Sequence, residues 1–245
     1  MSRETFVLCK NELLAENTYR MELYGNTGDI TAPGQFVNLA LPGLFLRRPI
    51  SVCDCMGELL ILIYKVVGVG TAQLRDLPVG TSLDVLTGLG NGFDLSLAGD
   101  SPLLVGGGVG VAPLCGLAKC LRDQGKTVRV ILGFNTAREL FGHKGMEALG
   151  CEVTVTTADG SYGVPGFVTA ALPSEPPSQV YACGPEPMLR ALYQAADWPG
   201  QYSLEAHMGC GFGACMGCTI ETSQGHLRIC KDGPVFSREV LPWRN

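Results

Sequence analysis

Leu103-Leu-Val-Gly-Gly-Gly-Val-Gly-Val-Ala-Pro113 is the most informative stretch of this sequence. Its first residues are apolar and typical of a buried strand, glycines follow, and residues 112–124 have the apolar spacing of a helix. Glycines between a strand and a helix let a pyrophosphate approach the backbone amides at the helix start. The spacing differs from G-x-G-x-x-G, so the stretch predicts a related nucleotide loop and not that motif itself.

Strands and helices alternate on the carboxyl side of this loop. Besides the strand at 102–105, the sequence predicts strands at 128–134, 152–158 and 179–183, and helices at 138–149 and 186–196. This alternation predicts a doubly wound parallel sheet over residues 99–197. The strand at 179–183 ends in Cys183-Gly184-Pro185, again at an edge where open α/β sheets bind ligands. A lone cysteine such as Cys183 is more often a small buried apolar residue.

Residues 1–98, on the amino side, are rich in predicted strands. Apolar runs at 35–41, 59–67 and 82–86 are separated by proline and glycine. Short strands at this spacing predict a small antiparallel β-barrel or sandwich.

Two short motifs within these strands indicate a flavin. Arg48-Pro49-Ile50-Ser51 follows the predicted strand at 36–41, and an arginine at a strand end can bind a pyrophosphate with two parallel hydrogen bonds. Alone, this tetrapeptide is better explained by a surface arginine before a strand. Gly68-Val69-Gly70-Thr71 opens a short helix after the strand at 61–67, which is an arrangement that binds anions. Together the motifs predict a flavin dinucleotide held across the barrel.

A cysteine cluster lies toward the carboxyl end. Cys210-Gly-Phe-Gly-Ala-Cys215-Met-Gly-Cys218 and Cys230 have the spacing C-x4-C-x2-C-x11-C, which is that of plant-type [2Fe–2S] ligation. The interspersed glycines allow the backbone to wrap closely around a cluster. Zinc is the alternative, although zinc ribbons favour two C-x2-C pairs and only one is present here. His207 and His226 lie nearby in sequence and could replace a cysteine, as in Rieske centres.

Composition excludes several other classes of protein. The chain has 245 residues, a formal net charge of −5 and no run of Lys or Arg that would bind nucleic acid. Eleven cysteines are an odd number, which fits a disulfide framework poorly. No uncharged apolar stretch reaches the about 18 residues that a membrane span needs, and the first residues do not form a signal peptide. The sequence therefore predicts a soluble, cytoplasmic protein.

Taken in order, the R-x-x-S, G-x-G-T, G-G-G-x-G-x-A-P and C-G-P motifs resemble the ferredoxin–NAD(P) reductase superfamily. With the cysteine spacing and Asp232-Gly-Pro-Val-Phe236, the chain is similar to the electron-transfer subunits of class 1B dihydroorotate dehydrogenase. The resemblance implies an FAD-binding β-barrel at 1–98, an NAD-binding α/β domain at 99–197 and a [2Fe–2S] module at 198–245.

The resemblance also implies site residues at the matching positions. The metal ligands would be Cys210, Cys215, Cys218 and Cys230. The FAD-binding residues would be Arg48, Pro49, Ile50, Ser51, Ile63, Tyr64, Lys65, Gly70 and Thr71. The NAD-binding residues would be Gly107, Gly108, Gly110, Cys183, Gly184 and Pro185, with Cys183 approaching the nicotinamide. No residue is implied as the acid or base that acts on dihydroorotate.

The function implied by the resemblance is an electron relay in pyrimidine biosynthesis. An FMN-containing catalytic subunit oxidises dihydroorotate, and the electrons pass through the [2Fe–2S] cluster and FAD to NAD⁺. The partner would be that FMN subunit, in a heterotetramer with two copies of each chain.

Other functions stay open at this point. The same cofactors serve NAD(P)H–ferredoxin oxidoreductases, sulfide dehydrogenases and hydrogenases, which have other partners. A redox-sensing or zinc-stabilised module without turnover is a further alternative. The sequence does not decide between NAD and NADP, since Arg138 is suited to a 2′-phosphate but also to a solvated helix start.

Overall fold

The first 89 residues of the chain form a closed antiparallel barrel in the computed structural model, which describes residues 1–243. The last two positions of the predicted 198–245 module lie outside the described residues. The barrel order is β1-β2-β5-β4-β3-β6. Its strands are β1 (Ser2–Ala15), β2 (Thr18–Tyr24), β3 (Phe36–Leu39), β4 (Arg48–Met56), β5 (Leu59–Lys65) and β6 (Ser82–Leu89). The short helix α1 (Val69–Arg75) connects β5 to β6. The predicted antiparallel barrel is confirmed.

The side chains of β5 alternate between two cores. Leu60, Leu62 and Tyr64 are buried inside the barrel, whereas Ile61 and Ile63 pack in the neighbouring core between the barrel and the α/β sheet. This alternation follows from the two-residue period of a strand. Burying each such Leu or Ile contributes about 1.5–3 kcal/mol, so β5 helps to hold the two halves of the molecule together.

A seven-stranded sheet forms the second half, in the order β10-β9-β8-β7-β11-β12-β15. Its strands are β7 (Leu103–Gly107), β8 (Arg129–Phe134), β9 (Glu152–Thr157), β10 (Val164–Pro165), β11 (Val180–Cys183), β12 (Gly200–Ser203) and β15 (Val235–Ser237). All neighbours are parallel except β12 and β15. The helices are α2 (Ala112–Asp123), α3 (His143–Ala148) and α4 (Glu186–Ala195). The predicted α/β parallel sheet is confirmed, with an antiparallel edge strand added.

The predicted continuous helix at 138–149 is wrong. The structure has a 3-10 turn at Ala137–Glu139, an extended Leu140 and then α3. Gly142, which precedes α3, has a φ of +79°, a left-handed conformation that ends any helix continuing from the 3-10 turn. The apolar spacing was therefore produced by two short elements on either side of a glycine.

The cysteine-bearing segment is joined to the sheet and also forms elements of its own. Strands β12 and β15 flank a hairpin of β13 (Thr219–Thr222) and β14 (Gly225–Arg228), followed by the short helix α5 (Ile229–Asp232). Arg238, only 8% exposed, donates hydrogen bonds to the Asp197 carboxylate at 3.1 Å and the Tyr193 carbonyl at 2.9 Å. Its guanidinium also lies 3.7 Å from the Tyr193 ring centroid. The segment is thus anchored to α4.

Helix α2 packs directly against the barrel. A Cβ at Gly116 would lie 2.6 Å from the Cys53 carbonyl oxygen on β4, so the two backbones touch only because this residue is glycine. Lys119 also pairs with Asp54 at 3.2 Å across the same contact. None of the helices within residues 1–243 is long and apolar enough to cross a membrane.

Candidate functional site

The four clustered cysteines lie in two hydrogen-bonded pairs. The amide of Cys210 lies 3.4 Å from Cys215 Sγ, and we call these two residues the outer pair; the amide of Cys230 lies 3.4 Å from Cys218 Sγ, and we call these two the inner pair. Cys218 and Cys230 are each only 2% exposed, whereas Cys215 is exposed. The inner pair therefore faces the protein core and the outer pair faces the surface.

Backbone amides point at the sulfur atoms. The amides of Phe212, Ala214 and Cys215 lie 3.2–3.5 Å from Cys210 Sγ, and the amide of Gly217 lies 3.4 Å from Cys215 Sγ. Although partial burial raises the pKa of Cys210, these amides and the Cys215 thiol outweigh it and lower the pKa to about 6. The loop is thus built to stabilise negative charge on sulfur, which iron ligation requires.

Two pairs of thiols fit a two-iron cluster better than a single ion. Each iron of a [2Fe–2S] cluster takes two thiolates. His207 and His226 are both exposed, and His226 lies opposite Glu221 in the β13–β14 hairpin.

Asn38 connects the cysteine loop to the barrel. This buried side chain donates a hydrogen bond from Nδ2 to the Cys210 carbonyl at 3.2 Å. A Cβ at Gly211 would collide with the same amide, and Gly211 has a φ of +79°. Asn38 lies on β3 directly opposite Pro49 on β4. The loop therefore lies beside the strand that carries the predicted flavin motif.

The structure brings the two predicted flavin motifs together. The Arg48 guanidinium lies over Gly70 at the start of α1, where any Cβ would collide with it. Arg48 also donates a hydrogen bond to the Leu46 carbonyl at 2.5 Å. Ser51 lies opposite Phe36 on the neighbouring strand. The Thr71 hydroxyl accepts hydrogen bonds from the amides of residues 67 and 68, and so fixes the turn into α1.

The three predicted flavin residues of β5 point in different directions. Tyr64 is 2% exposed inside the barrel, where its hydroxyl donates to Asn11 Oδ1 at 3.0 Å and burial raises its pKa to about 12. Ile63 packs toward α2. Lys65 extends to the α/β sheet and pairs with Glu139 at 2.8 Å. Of these side chains, only Lys65 places a charged group at the boundary between barrel and sheet.

A cavity of about 400 Å³ opens at the carboxyl edge of the sheet. It contains the predicted residues Gly107, Gly108 and Pro185. Gly110 lies outside the lining and instead packs against the Cys183 carbonyl oxygen and Gly184, which joins the two predicted nucleotide loops.

Cys183 is buried beside these loops. Burial raises the pKa of the Cys183 thiol to about 12, even though a hydrogen bond with Ser203 acts in the opposite direction. The group is therefore a neutral thiol at physiological pH and not a nucleophilic thiolate.

Sequence reasoning missed the far end of the cavity. Its wall there includes Asn135, Glu139, Thr156 and Phe167, which follow or end the predicted strands at 128–134 and 152–158. Thr156 is fully buried, and its hydroxyl has no hydrogen-bond partner among the described residues. Their position after successive parallel strands was the available signal, because such strand ends meet at one edge.

Two protein-family models match this chain. The model described as the iron-sulfur cluster binding domain of dihydroorotate dehydrogenase B matches residues 205–241. The model described as the oxidoreductase NAD-binding domain matches residues 104–194. These ranges contain the four clustered cysteines and both predicted nucleotide loops, respectively.

Curated relatives match over nearly the whole chain. The dihydroorotate dehydrogenase B (NAD(+)) electron transfer subunit of Geobacillus sp. (strain WCH70) is 40% identical over 250 residues, which cover 96% of this chain and 97% of that protein. The protein of the same name from Bacillus pumilus is 38% identical, over 98% of this chain and 98% of its own length. The one from Fusobacterium nucleatum is 40% identical, over 96% of this chain and 97% of its own length.

Solved structures of two reductases share the fold. The NADH-dependent reduced ferredoxin-NADP oxidoreductase structure, studied for flavin-based electron bifurcation, matches with a TM-score of 0.87 and 30% identity over 97% of this chain and 90% of that chain. The Amycolatopsis cytochrome P450 reductase GcoB matches with a TM-score of 0.70 and 25% identity over 79% of this chain and 65% of that chain.

Proposed function

Because this chain belongs to the family of dihydroorotate dehydrogenase B (NAD(+)) electron transfer subunits, we propose that it carries electrons from a dihydroorotate-oxidising partner to NAD⁺. This is the function of an oxidoreductase subunit in the de novo synthesis of pyrimidines. The cysteine loop, the flavin motifs and the nucleotide cavity each supply one of the three sites that such transfer requires.

The residues present fit the cofactors that this function needs. When bound, the [2Fe–2S] cluster supplies one-electron transfer, and FAD supplies the exchange between single electrons and the hydride that NAD⁺ accepts. In this chain Cys210, Cys215, Cys218 and Cys230 would hold the irons. Arg48 and the turn at Gly70–Thr71 would hold the FAD pyrophosphate, and residues 49–51 would line its ring.

The hydrogen bond from Asn38 to the Cys210 carbonyl is the observation that carries the proposal. It fixes the cysteine loop to β3, and β3 pairs with the flavin segment of β4. Neighbouring strands are about 4.8 Å apart, so the cluster site and the flavin site lie side by side. Electron transfer between carriers depends on such proximity.

We propose that the dinucleotide lies across the ends of four adjacent strands. The nicotinamide would lie near Cys183 on β11, the pyrophosphate at Gly107–Gly108 after β7, and the adenosine beyond β8 at Thr156 on β9. Three strand intervals span about 14 Å, which suits an extended dinucleotide. Phe167, exposed at the rim of the cavity, is placed to stack on the adenine ring.

The partner that we propose is an FMN-containing catalytic subunit, with two copies of each chain in the complex. Exposed apolar side chains support docking at the outer cysteine pair: in the cysteine loop Phe212 is 44% exposed and Met216 is 52% exposed, and Phe45 of the barrel is fully exposed. Arg47, two residues after Phe45, donates to the Asn38 carbonyl at 3.2 Å. Asn38 donates to the Cys210 carbonyl, so the segment that carries Phe45 is linked to the cysteine loop through Asn38. Docking there would shorten the electron path to the outer pair.

We place the complex in the cytoplasm. Apart from the four proposed ligands, the seven other cysteines form no disulfide in this structure. Free thiols are the state that a reducing compartment maintains.

The test is anaerobic purification of the tagged chain from its own cells, with iron, acid-labile sulfide and flavins quantified on the complex. We expect two irons and two sulfides per chain, FAD, and an FMN-bearing partner that reduces NAD⁺ with dihydroorotate. Cys215→Ser should abolish the visible absorption of the cluster, whereas Cys9→Ser, at another exposed cysteine, should retain it.

Two results would contradict the proposal. Zinc in place of iron and sulfide would remove the cluster. A co-purifying subunit without FMN, such as a ferredoxin or a nickel protein, would favour the reductase, sulfide dehydrogenase or hydrogenase alternatives.

A further inference from the structure

Glu139 is the only charged residue in the described lining of the nucleotide cavity. It lies in the 3-10 turn after β8, and its side chain is only 14% exposed. NADH carries a pyrophosphate, so an isolated carboxylate on this wall would repel the ligand. A cation paired with Glu139 would remove this repulsion.

Lys65 of the barrel offsets it. Lys65 Nζ donates a hydrogen bond to Glu139 Oε1 at 2.8 Å, and the Lys65 side chain is 33% exposed. Arg138, the neighbouring cation, is exposed and outside the cavity lining. The charge of the wall therefore depends on a residue contributed by the flavin barrel.

The carboxylate is held in place independently of Lys65. Glu139 Oε2 accepts hydrogen bonds from the backbone amide and from Nδ2 of Asn135, both at 3.1 Å. The turn itself is tied to the barrel by a hydrogen bond from the Glu16 amide to the Arg138 carbonyl at 2.9 Å. Removing Lys65 would therefore leave the negative charge in the cavity wall.

We propose that Lys65 is a positioning residue of the nucleotide site, which cancels the charge of Glu139 and thereby sets the affinity for NADH and the discrimination against NADPH. This inference rests on the proposed function, because it assumes that the cavity binds NADH. The wall is neutral in the wild type, negative in Lys65→Met, positive in Glu139→Gln and neutral again in the double variant. NADPH has an additional phosphate and should respond more strongly than NADH to each change.

The experiment measures KM and kcat for NADH- and NADPH-dependent dye reduction by the four FAD-replete complexes. For NADH we expect Lys65→Met to raise KM about tenfold, Glu139→Gln to lower it severalfold, and the double variant to return it to within about threefold of wild type. Glu139→Gln should also narrow the preference for NADH over NADPH. The differences should shrink at about 1 M salt, where the screening length falls to about 3 Å.

Three results would contradict the inference or the function on which it rests. A double variant that keeps the high KM of Lys65→Met would overturn the inference, because Lys65 would then act through the flavin or the fold. Equal KM values in all four complexes would also overturn it. Wild-type complex that reduces no dye with NADH would instead refute the proposed function, whatever the variants do.

Discussion

Gly211 fixes the distance between the cysteine loop and the barrel. It has no side chain where Asn38 approaches, and its backbone is in the left-handed conformation, at a φ of +79°. Asn38 can therefore reach the Cys210 carbonyl at 3.2 Å. A side chain at this one position would separate the cysteine loop from β3, and so the proposed cluster site from the proposed flavin site.

We expect Gly211→Ala to lower iron and acid-labile sulfide per chain severalfold while FAD content stays near wild type. The alanine combines left-handed strain, which costs about 1–2 kcal/mol, with a collision against Asn38. Gly43→Ala is the matched control, since its φ is +74° but nothing lies near its Cβ. Equal cluster content in both variants would show that the collision does not matter.

At this scale the sequence predicted candidate residues for the chemistry, but it did not indicate what holds them in place. The cysteine spacing identified four candidate ligands, because one loop supplies three of them. Asn38 is 172 positions from Cys210, so no local pattern connects the two residues. Likewise, Tyr64 has the alternation of a strand, but its burial inside the barrel depends on closure of the whole sheet.

At the scale of elements, successive strand ends build the nucleotide cavity. β7, β8 and β9 are adjacent and parallel, so the residues that follow them line one edge. Thr156, at the end of β9, contributes a buried hydroxyl without a partner among the described residues. An unpaired buried hydroxyl is costly unless a ligand satisfies it.

We expect Thr156→Val to raise the KM for NADH about threefold to tenfold, which corresponds to the loss of one neutral hydrogen bond. Reduced nicotinamide mononucleotide, which has no adenosine, should be oxidised with an unchanged KM. Thr154→Val, on the same face of β9 but farther from its end, is the control. If Thr156→Val raised the KM for NADH and the KM for reduced nicotinamide mononucleotide equally, Thr156 would not contact the adenosine.

Local sequence patterns predicted the strands of the parallel sheet correctly but one of its helices wrongly. The strands of the parallel sheet were predicted because each is a short apolar run next to glycine or a helix. The helix at 138–149 was predicted wrongly because apolar spacing does not reveal the left-handed Gly142. That break is also what leaves Glu139 in a turn facing the cavity.

At the scale of the whole molecule, the cysteine-bearing segment completes the sheet. β12 covers the edge of β11, and β15 covers β12. Tyr202 and Phe236 from these strands are buried in the same core as Cys218 and Cys230. No sequence pattern indicates this pairing, because three- and four-residue strands lack a measurable period and their partners lie far along the chain.

We therefore expect a chain shortened to residues 1–197 to be insoluble or to unfold without a cooperative transition. It would expose the edge of β11 and the core surface that Tyr202 and Phe236 cover. Circular dichroism melting is the measurement. The full-length Cys215→Ser variant should still melt cooperatively, because it keeps both strands. A sharp transition in the shortened chain would contradict this role.

The placement of β15 has a consequence for biosynthesis. All six barrel strands lie within the first 89 residues, whereas the sheet is complete only after residues 235–237 have been synthesised. Chains fold from the amino end as they leave the ribosome, so the barrel can close while the sheet still lacks an edge. Flavin insertion can thus begin on a nascent chain, and the irons can be installed only afterwards.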